Sequence, residues 1–289
     1  RKTCPVNRKK EELLFRHPKL VYAGWRKEAS ERKTSSSGGV AAVLAEYMVR
    51  NGGIVYGVVQ IQDSIRYQRA EMPEEIRKFR GSKYVQSYMG DIFVKVKAEL
   101  LKGSWVLVSG TPCIVAGIKN FLKKYDLSKL ILVDVVCHGV PSQAFFDSYL
   151  EFLNIKYDGI SKYQFRTKIK VNNGMSWLHS YYINKYKRKI VRNWPEDSFN
   201  YLYMNSYIYR ESCYSCKYAR TERVGDLSLC DYWNWDKCYL DFAKDSSVSG
   251  ILVNTQKGQK LWDAIRNKFI YYNTEISSIV INNGCLSRP

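Results

Sequence analysis

The sequence predicts an α/β fold, a mainly parallel sheet with crossover helices joined to an antiparallel, aromatic-rich region. Three observations carry this. Residues 38–153 alternate apolar runs at helical spacing with short strand-like runs. Two of those strand-like runs, residues 106–108 and 130–136, each break at a Gly/Pro turn that carries a cysteine. After Leu153 the composition shifts to Tyr, Lys and Ile with partial alternation, which reads as antiparallel strands.

Taken in order, residues 1–30 read as polar and irregular, with Cys4-Pro5 as their one distinctive pair. Ser35-Ser36-Ser37-Gly38-Gly39 precedes an apolar helical run that extends to Arg50, so the serines are expected to cap its first turn. The two glycines allow close approach to the backbone, and a helix start suits a phosphate or flavin contact, although an ordinary capped helix gives the same pattern. Residues 54–61 are a strand and 71–79 a short helix. Residues 80–87 form a polar loop or short strand, and 91–101 an amphipathic helix. Then comes WVLVSGTPCIVAGIK (105–119), a buried strand, a tight turn and a helix, with Cys113 at the turn. The pattern recurs at 130–142, where Cys137-His138-Gly139-Val140-Pro141-Ser142 follows the strand. In open α/β sheets ligands sit at the carboxyl ends of strands, so the two turns suggest one shared site. Residues 157–192 read as antiparallel strands and 194–209 as an aromatic helix or loop, with aromatics that more often form core than a cofactor box. Residues 248–255 are a strand and 257–269 a helix. The division expected is 1–30 as a linker, 31–153 as an α/β part that carries the phosphate- or flavin-contact turn, and 154–289 as a second part that carries the CxxC and packs on the first.

The net charge is +19. Basic residues are spread along the whole length, without a basic arm, zinc-finger spacing or RNP-like motif, so specific nucleic-acid binding is not expected. A solvated basic surface is the plain reading, and a small acidic electron carrier is a natural counterpart. No apolar run is long enough to span a bilayer and no signal peptide is seen, which makes the cytoplasm the default location. Eight cysteines without a secretory signal argue for metal, cluster or redox chemistry over disulfides. Cys230, Cys238 and Cys285 are as readily small buried hydrophobes.

Cys213-Tyr214-Ser215-Cys216 is a lone CxxC, which suits a zinc half-site, a dithiol or a cluster half-site. If Cys113 and Cys137 end neighbouring strands and the CxxC arrives from the second half, four thiolates can hold one [4Fe–4S] cluster, with structural zinc on the same four as the alternative. His138 has two open roles, polarising a flavin or hydrogen-bonding its own turn. Asp134 stands inside an apolar strand and needs a partner, with a donor near Ser109 or Gly110 as the expected one. Asp226 and Asp231 flank a short apolar run as loop, cap or ligand residues.

Six stretches together carry a resemblance: SSSGGV (35–40), FRGSKYVQS (79–87), SGTPCIVAGIKNFL (109–122), VDVVCHGVPS (133–142), SCYSCKYA (212–219) and GDLSLCDYW (225–233). In this order and spacing, over about residues 20–289, the chain resembles the coenzyme F420 hydrogenase/dehydrogenase beta-subunit family. The resemblance implies an FAD-binding, iron–sulfur oxidoreductase that passes electrons between a ferredoxin-like carrier and a small substrate such as the deazaflavin coenzyme. By motif match, Ser36, Ser37, Gly38, Gly39, Lys83, Tyr84, Gln86, Gly110 and Thr111 would line the flavin, and Cys113, Cys137, Cys213 and Cys216 would ligate the cluster. Family members often carry N-terminal ferredoxin clusters, and Cys4-Pro5 matches the end of that motif. Cys230 and Asn234 replace family glycines, which would narrow or reshape the pocket. A non-redox or zinc-binding accessory role in surface-polysaccharide synthesis is the alternative that bacterial relatives suggest.

Overall fold

The structure, a computed structural model, describes residues 14–171, 174–233, 247–281 and 283–288. Its strands are β1 (Leu20–Arg26), β2 (Ile54–Ile61), β3 (Ser64–Ala70), β4 (Val106–Gly110), β5 (Leu130–Val135), β6 (Ile160–Val171), β7 (Gly174–Ile183), β8 (Arg188–Arg192), β9 (Leu227–Asp231), β10 (Ser249–Val253) and β11 (Phe269–Asn273). The helices are α1 (Ala29–Lys33), α2 (Val40–Arg50), α3 (Pro73–Ile76), α4 (Ile92–Leu101), α5 (Pro112–Leu122), α6 (Gln143–Tyr157), α7 (Ser198–Met204), α8 (Glu211–Tyr214), α9 (Gln256–Ile265) and α10 (Ile276–Val280).

Eight strands form one mixed sheet in the order β11-β1-β10-β9-β5-β4-β2-β3. The centre is parallel, β2 beside β4, β4 beside β5, and β5 beside β9. The flanks are antiparallel, with β3 on β2 at one side and β10, β1 and β11 on the other. β6, β7 and β8 make a separate antiparallel sheet.

Alternation along the central strands sends successive side chains to opposite faces. Leu107, Ile131 and Val133 join Val43, Leu44 and Trp262 under α2 and α9. Val106, Val108, Leu130 and Leu132 join Val115, Ile118 and Leu122 of α5 on the other face. Each fully buried aliphatic side chain contributes roughly 1.5–3 kcal/mol from the area it removes from water. Some of the aromatics between Leu153 and Tyr209 do pack as core: Tyr163, Phe165, Tyr181 and Phe199 join Phe146 of α6 in one buried aromatic cluster between α6, α7 and the small sheet, while Trp194, Tyr201 and Tyr207 stay exposed.

Four strands depart from expectation. Residues 20–26, expected to be irregular, are β1, with five consecutive buried residues paired on both sides. Polar Lys19 and Arg26 bracket an apolar run too short to stand out, and long-range pairing decides its state. β3, β9 and β11 were also unannounced, because Ser64–Ala70 alternates charge with apolar residues and the other two are only five residues long. Cys4, Asn234 and Cys238 lie outside the described residues.

Candidate functional site

The turns after β4 and β5 stand at the same edge of the parallel centre. Gly110 pairs with Asp134 in register, so the two cysteine-bearing turns start side by side. Pro112 occupies the first turn of α5 and needs no N–H partner there. Thr111 Oγ1 lies 3.2 Å from Cys113 Sγ. The Tyr67 hydroxyl donates to Ser109 O at 3.1 Å, and a Cβ on Gly110 would fall 2.2 Å from that hydroxyl. Gly110 is therefore a glycine because Tyr67 fills the space above it.

The second turn is tied to the CxxC. Gly139 has φ 131°, and a Cβ there would meet the Tyr209 ring at 2.4 Å. Arg210 N–H donates to Val140 O at 3.0 Å, and Cys213 N–H donates to Arg210 O at 2.7 Å. Gln86 N–H donates to Pro141 O at 3.0 Å, which brings the 80–87 loop to the same place. These bonds carry Cys213 from the far half of the sequence to the end of β5.

All four cysteines are free thiols, as are Cys230 and Cys285. Burial pushes the thiols of Cys113, Cys137 and Cys216 up. Cys113 feels Cys216 and Cys213, Cys137 feels the other three, and Cys216 feels Cys213, so every pairing among the four is within electrostatic reach. Among the described residues, no three His, Cys, Asp or Glu side chains converge closely enough to hold a single metal ion. A fifth thiol belongs to the neighbourhood: burial raises Cys285 to about 11, with Arg223 opposing and Cys216 adding. Cys230 lies against β10, its Sγ 3.8 Å from Gly250 O.

The serine–glycine turn sits beside the ends of β1 and β10. Ser37 Oγ donates to Val248 O at 3.0 Å, and Gly38 N–H donates to Ser249 Oγ at 2.9 Å. A Cβ on Gly38 would come within 2.4 Å of Gly24 O, so contact with β1 requires that glycine. Gly39 caps α2 with φ 89°. The expectation that a serine caps α2 fails, because the serines turn instead toward β10 and α1; Ser35 Oγ points to Glu31 O. Arg26, bonded to Glu46 at 2.8 Å and Glu28 at 2.7 Å, and Arg80, bonded to Glu31, hold α1 across this turn.

Lys83 donates to Phe79 O and Arg80 O, each at 2.9 Å, and burial lowers its pKa to about 7. Its ammonium is engaged on the carbonyl end of the short helix after α3. Tyr84 stacks on Tyr203 with centroids 4.7 Å apart. His138 is exposed; the surrounding protein lowers its pKa, Asp231 opposes that and Arg166 reinforces it.

Two residues that the sequence pattern did not single out, Arg166 and Lys168, complete this edge. Arg166 Nη1 donates to Asp231 Oδ2 at 2.7 Å and its guanidinium lies 5.4 Å from the centre of the exposed Trp233 ring. Lys168 Nζ donates to Arg32 O at 3.0 Å and Ser37 O at 3.3 Å, and burial lowers its pKa to about 8. Arg166 and Lys168 are two apart on β6 and share a face, and that alternation was the available signal.

Asp134 does not orient a donor near Ser109 or Gly110. It is fully buried, paired with Arg223, and accepts from Gly225 N–H at 2.7 Å and Ser228 Oγ at 2.9 Å. Arg223 also donates to Arg220 O at 3.0 Å, which pins the segment after the CxxC to β5.

Residues 103–278 match the family described as the C-terminal part of the coenzyme F420 hydrogenase/dehydrogenase beta subunit, and residues 21–93 match the corresponding N-terminal family. The chain belongs to the coenzyme F420 hydrogenase/dehydrogenase beta-subunit family. Among solved structures, a chain of the xenon-derivatised F420-reducing [NiFe] hydrogenase complex from Methanosarcina barkeri has a TM-score of 0.57 and 16% identity, covering 93% of this chain and 86% of that one. At that identity the likeness is one of fold. No curated protein matches the chain. Among the described residues, no helix is long and apolar enough to cross a membrane.

Proposed function

We propose that this member of the family is an oxidoreductase that uses FAD and a [4Fe–4S] cluster, passing electrons between an acidic, ferredoxin-like carrier and a small substrate or deazaflavin coenzyme in the cytoplasm. The observation that carries this is that Cys113, Cys137, Cys213 and Cys216 lie within electrostatic reach of one another where parallel strands end, on the sheet edge that also carries the serine–glycine turn. Family membership supports a redox role.

The residues present fit both groups. Thiolates are soft donors that favour iron–sulfur clusters, and a cluster spaces its ligands more widely than one ion does. That spacing agrees with thiols that feel one another without closing on a common point. For the flavin, Ser36 Oγ is buried without a hydrogen-bond partner among the described residues, next to the residue whose carbonyl accepts from Lys168. A bound flavin would supply hydride and single-electron chemistry, and a bound cluster single-electron steps.

The protein's own contributions follow from position. Lys168 and Ser36 would bind the phosphates. The exposed Trp233 ring, backed by the Arg166–Asp231 ion pair, would offer an aromatic face for a flat substrate. His138, held neutral near pH 7, can accept or hold a proton at its ring nitrogen. Tyr67 and Gly110 close the floor of the site against water. The +19 surface supports an acidic carrier and would steer its approach.

The deciding experiment is anaerobic purification with a visible spectrum, cofactor extraction and metal analysis, on the native chain and on Cys113→Ala. The native chain is expected to be coloured, with flavin and about four irons; Cys113→Ala should lose the iron and keep its fold by circular dichroism. Stoichiometric zinc without iron, or a colourless protein without flavin, overturns the proposal in favour of an accessory role.

A further inference from the structure

The start of α5 is built differently from the starts of α6, α7 and α9. Ser142 caps α6 by accepting from Phe145 N–H at 3.2 Å, and Asp197 caps α7 by accepting from Asn200 N–H at 3.0 Å. Thr255 caps α9 in the same way, accepting from Gly258 N–H at 3.1 Å. A hydroxyl or carboxylate in that position ordinarily satisfies the open amide three residues on. Thr111 holds the same position on α5, with extended backbone at φ −68° and ψ 155°, yet its side chain makes no cap. The amide it would have capped, Ile114 N–H, donates instead to the Thr111 carbonyl at 3.0 Å, beside Val115 N–H at 3.1 Å. The hydroxyl is thereby spared, and it turns to Cys113, its Oγ1 lying 3.2 Å from Sγ.

The backbone on both sides of Thr111 is held in place. Before it, Tyr67 donates to Ser109 O at 3.1 Å, and its hydroxyl fills the space above Gly110. After it, the Pro112 ring restricts the chain and begins the helix. Threonine is branched at Cβ, so a fixed backbone leaves its hydroxyl few directions. Among the described residues, Cys113 is the one member of the four with a hydroxyl against its sulfur; the Cys137 thiol faces Gly139 O at 4.0 Å. Between a thiol and a hydroxyl either group can donate. A thiolate that ligates iron carries no hydrogen, and the Thr111 hydroxyl is then the donor.

We propose that Thr111 is a positioning residue for the cluster rather than a flavin contact, its hydroxyl donating to the Cys113 thiolate and raising the cluster's reduction potential. This rests on the cluster reading given above. Reduction adds one electron, supplied by the carrier, to the cluster and its ligand sulfurs. No proton moves, because Thr111 keeps its hydrogen on Oγ1. The sulfur is more negative in the reduced state, so the bond it accepts is stronger there than in the oxidised state, and that difference favours reduction. The motif match assigns Thr111 to the flavin; its hydroxyl faces the thiol. Ligands of a metal group are commonly oriented and tuned by such outer hydrogen bonds.

Anaerobic redox titration of the full chain, read by the electron paramagnetic resonance of the reduced cluster, tests this on Thr111→Val and Thr111→Ser. Valine keeps the branched shape without the donor, and serine keeps the donor. At a fixed potential Thr111→Val should lower the ratio of reduced to oxidised cluster about tenfold, which is a shift of about 59 mV to more negative potential for a one-electron couple. Its flavin content and flavin potential should stay native, and Thr111→Ser should keep the native cluster potential. A folded Thr111→Val that holds no iron, beside an iron-loaded Thr111→Ser, supports the same bond through retention of the cluster. If Thr111→Val does not fold, Thr111→Ala is titrated, with a shift in the same direction. An unchanged cluster potential in the iron-loaded variant, or equal shifts in valine and serine, overturns the proposal. A change confined to the flavin also overturns it and returns Thr111 to the flavin site. A native chain that holds no iron overturns the cluster reading itself, and this role with it.

Discussion

The Asp134–Arg223 pair is the most consequential contact at the scale of single residues. Both side chains are buried, and Asp134 also gathers the Gly225 N–H and Ser228 hydroxyl. A fully hydrogen-bonded buried pair is near neutral against an apolar replacement, whereas removing one member strands the other charge. Asp134→Ala is expected to lose about 3–5 kcal/mol in urea denaturation, and Arg223→Met/Asp134→Leu much less. His179 gives a pH signature. It is buried, and burial lowers its pKa to about 4 from an ordinary 6.5. The unfolded chain then binds the extra proton between about pH 4 and 6.5. Its contribution is complete above that window and declines as pH falls through it, at up to about 1.4 kcal/mol per pH unit. Thermal melts of the native chain should weaken across this window, and His179→Phe should flatten the slope. At this scale the sequence showed that Asp134 needed a partner, yet not that a residue 89 positions away supplies it, because nothing local links Arg223 to β5.

Individual elements owe their positions to glycines at contacts as much as to propensity. Gly38 touches the β1 backbone, and Gly38→Ala forces either that strand or the turn to move. The expected cost is about 1–3 kcal/mol in stability, together with weakened flavin retention, read by denaturant melts and by flavin content after dialysis. Thr255 accepts from Gly258 N–H at 3.1 Å as the cap of α9, and Thr255→Ala should cost about 1 kcal/mol. Elements with a strong period were legible in advance: the helices after the cysteine turns, the central strands and the alternating region past Leu153. Less legible were β1, β3, β9 and β11, whose short or charged sequences become strands only through their neighbours. The two cysteine turns could be placed together from topology alone, since parallel strands in one sheet end at one edge. Arg166 and Lys168 could not, because the small sheet's packing over the serine–glycine turn is a tertiary fact.

For the whole molecule, charge and topology set the remaining expectations. A +19 protein meeting an acidic carrier should be reduced fastest at low ionic strength. Stopped-flow reduction by a ferredoxin is expected to slow steeply as salt rises, and a salt-independent rate would remove steering from the account.

The place of β1 has a consequence for how the chain acquires its structure. This strand comes from the first part of the sequence, yet its partners are β10 and β11, which come more than two hundred residues later. On the ribosome, residues 20–26 must wait, unpaired and apolar, until β10 and β11 have been synthesised. Non-local pairing of this kind slows folding and lengthens the exposure of an adhesive edge. The sheet should therefore close only after β11 has emerged, and nascent chains halted before β10 should be captured by holdase chaperones and cut readily by proteases, while chains extended past β11 are not.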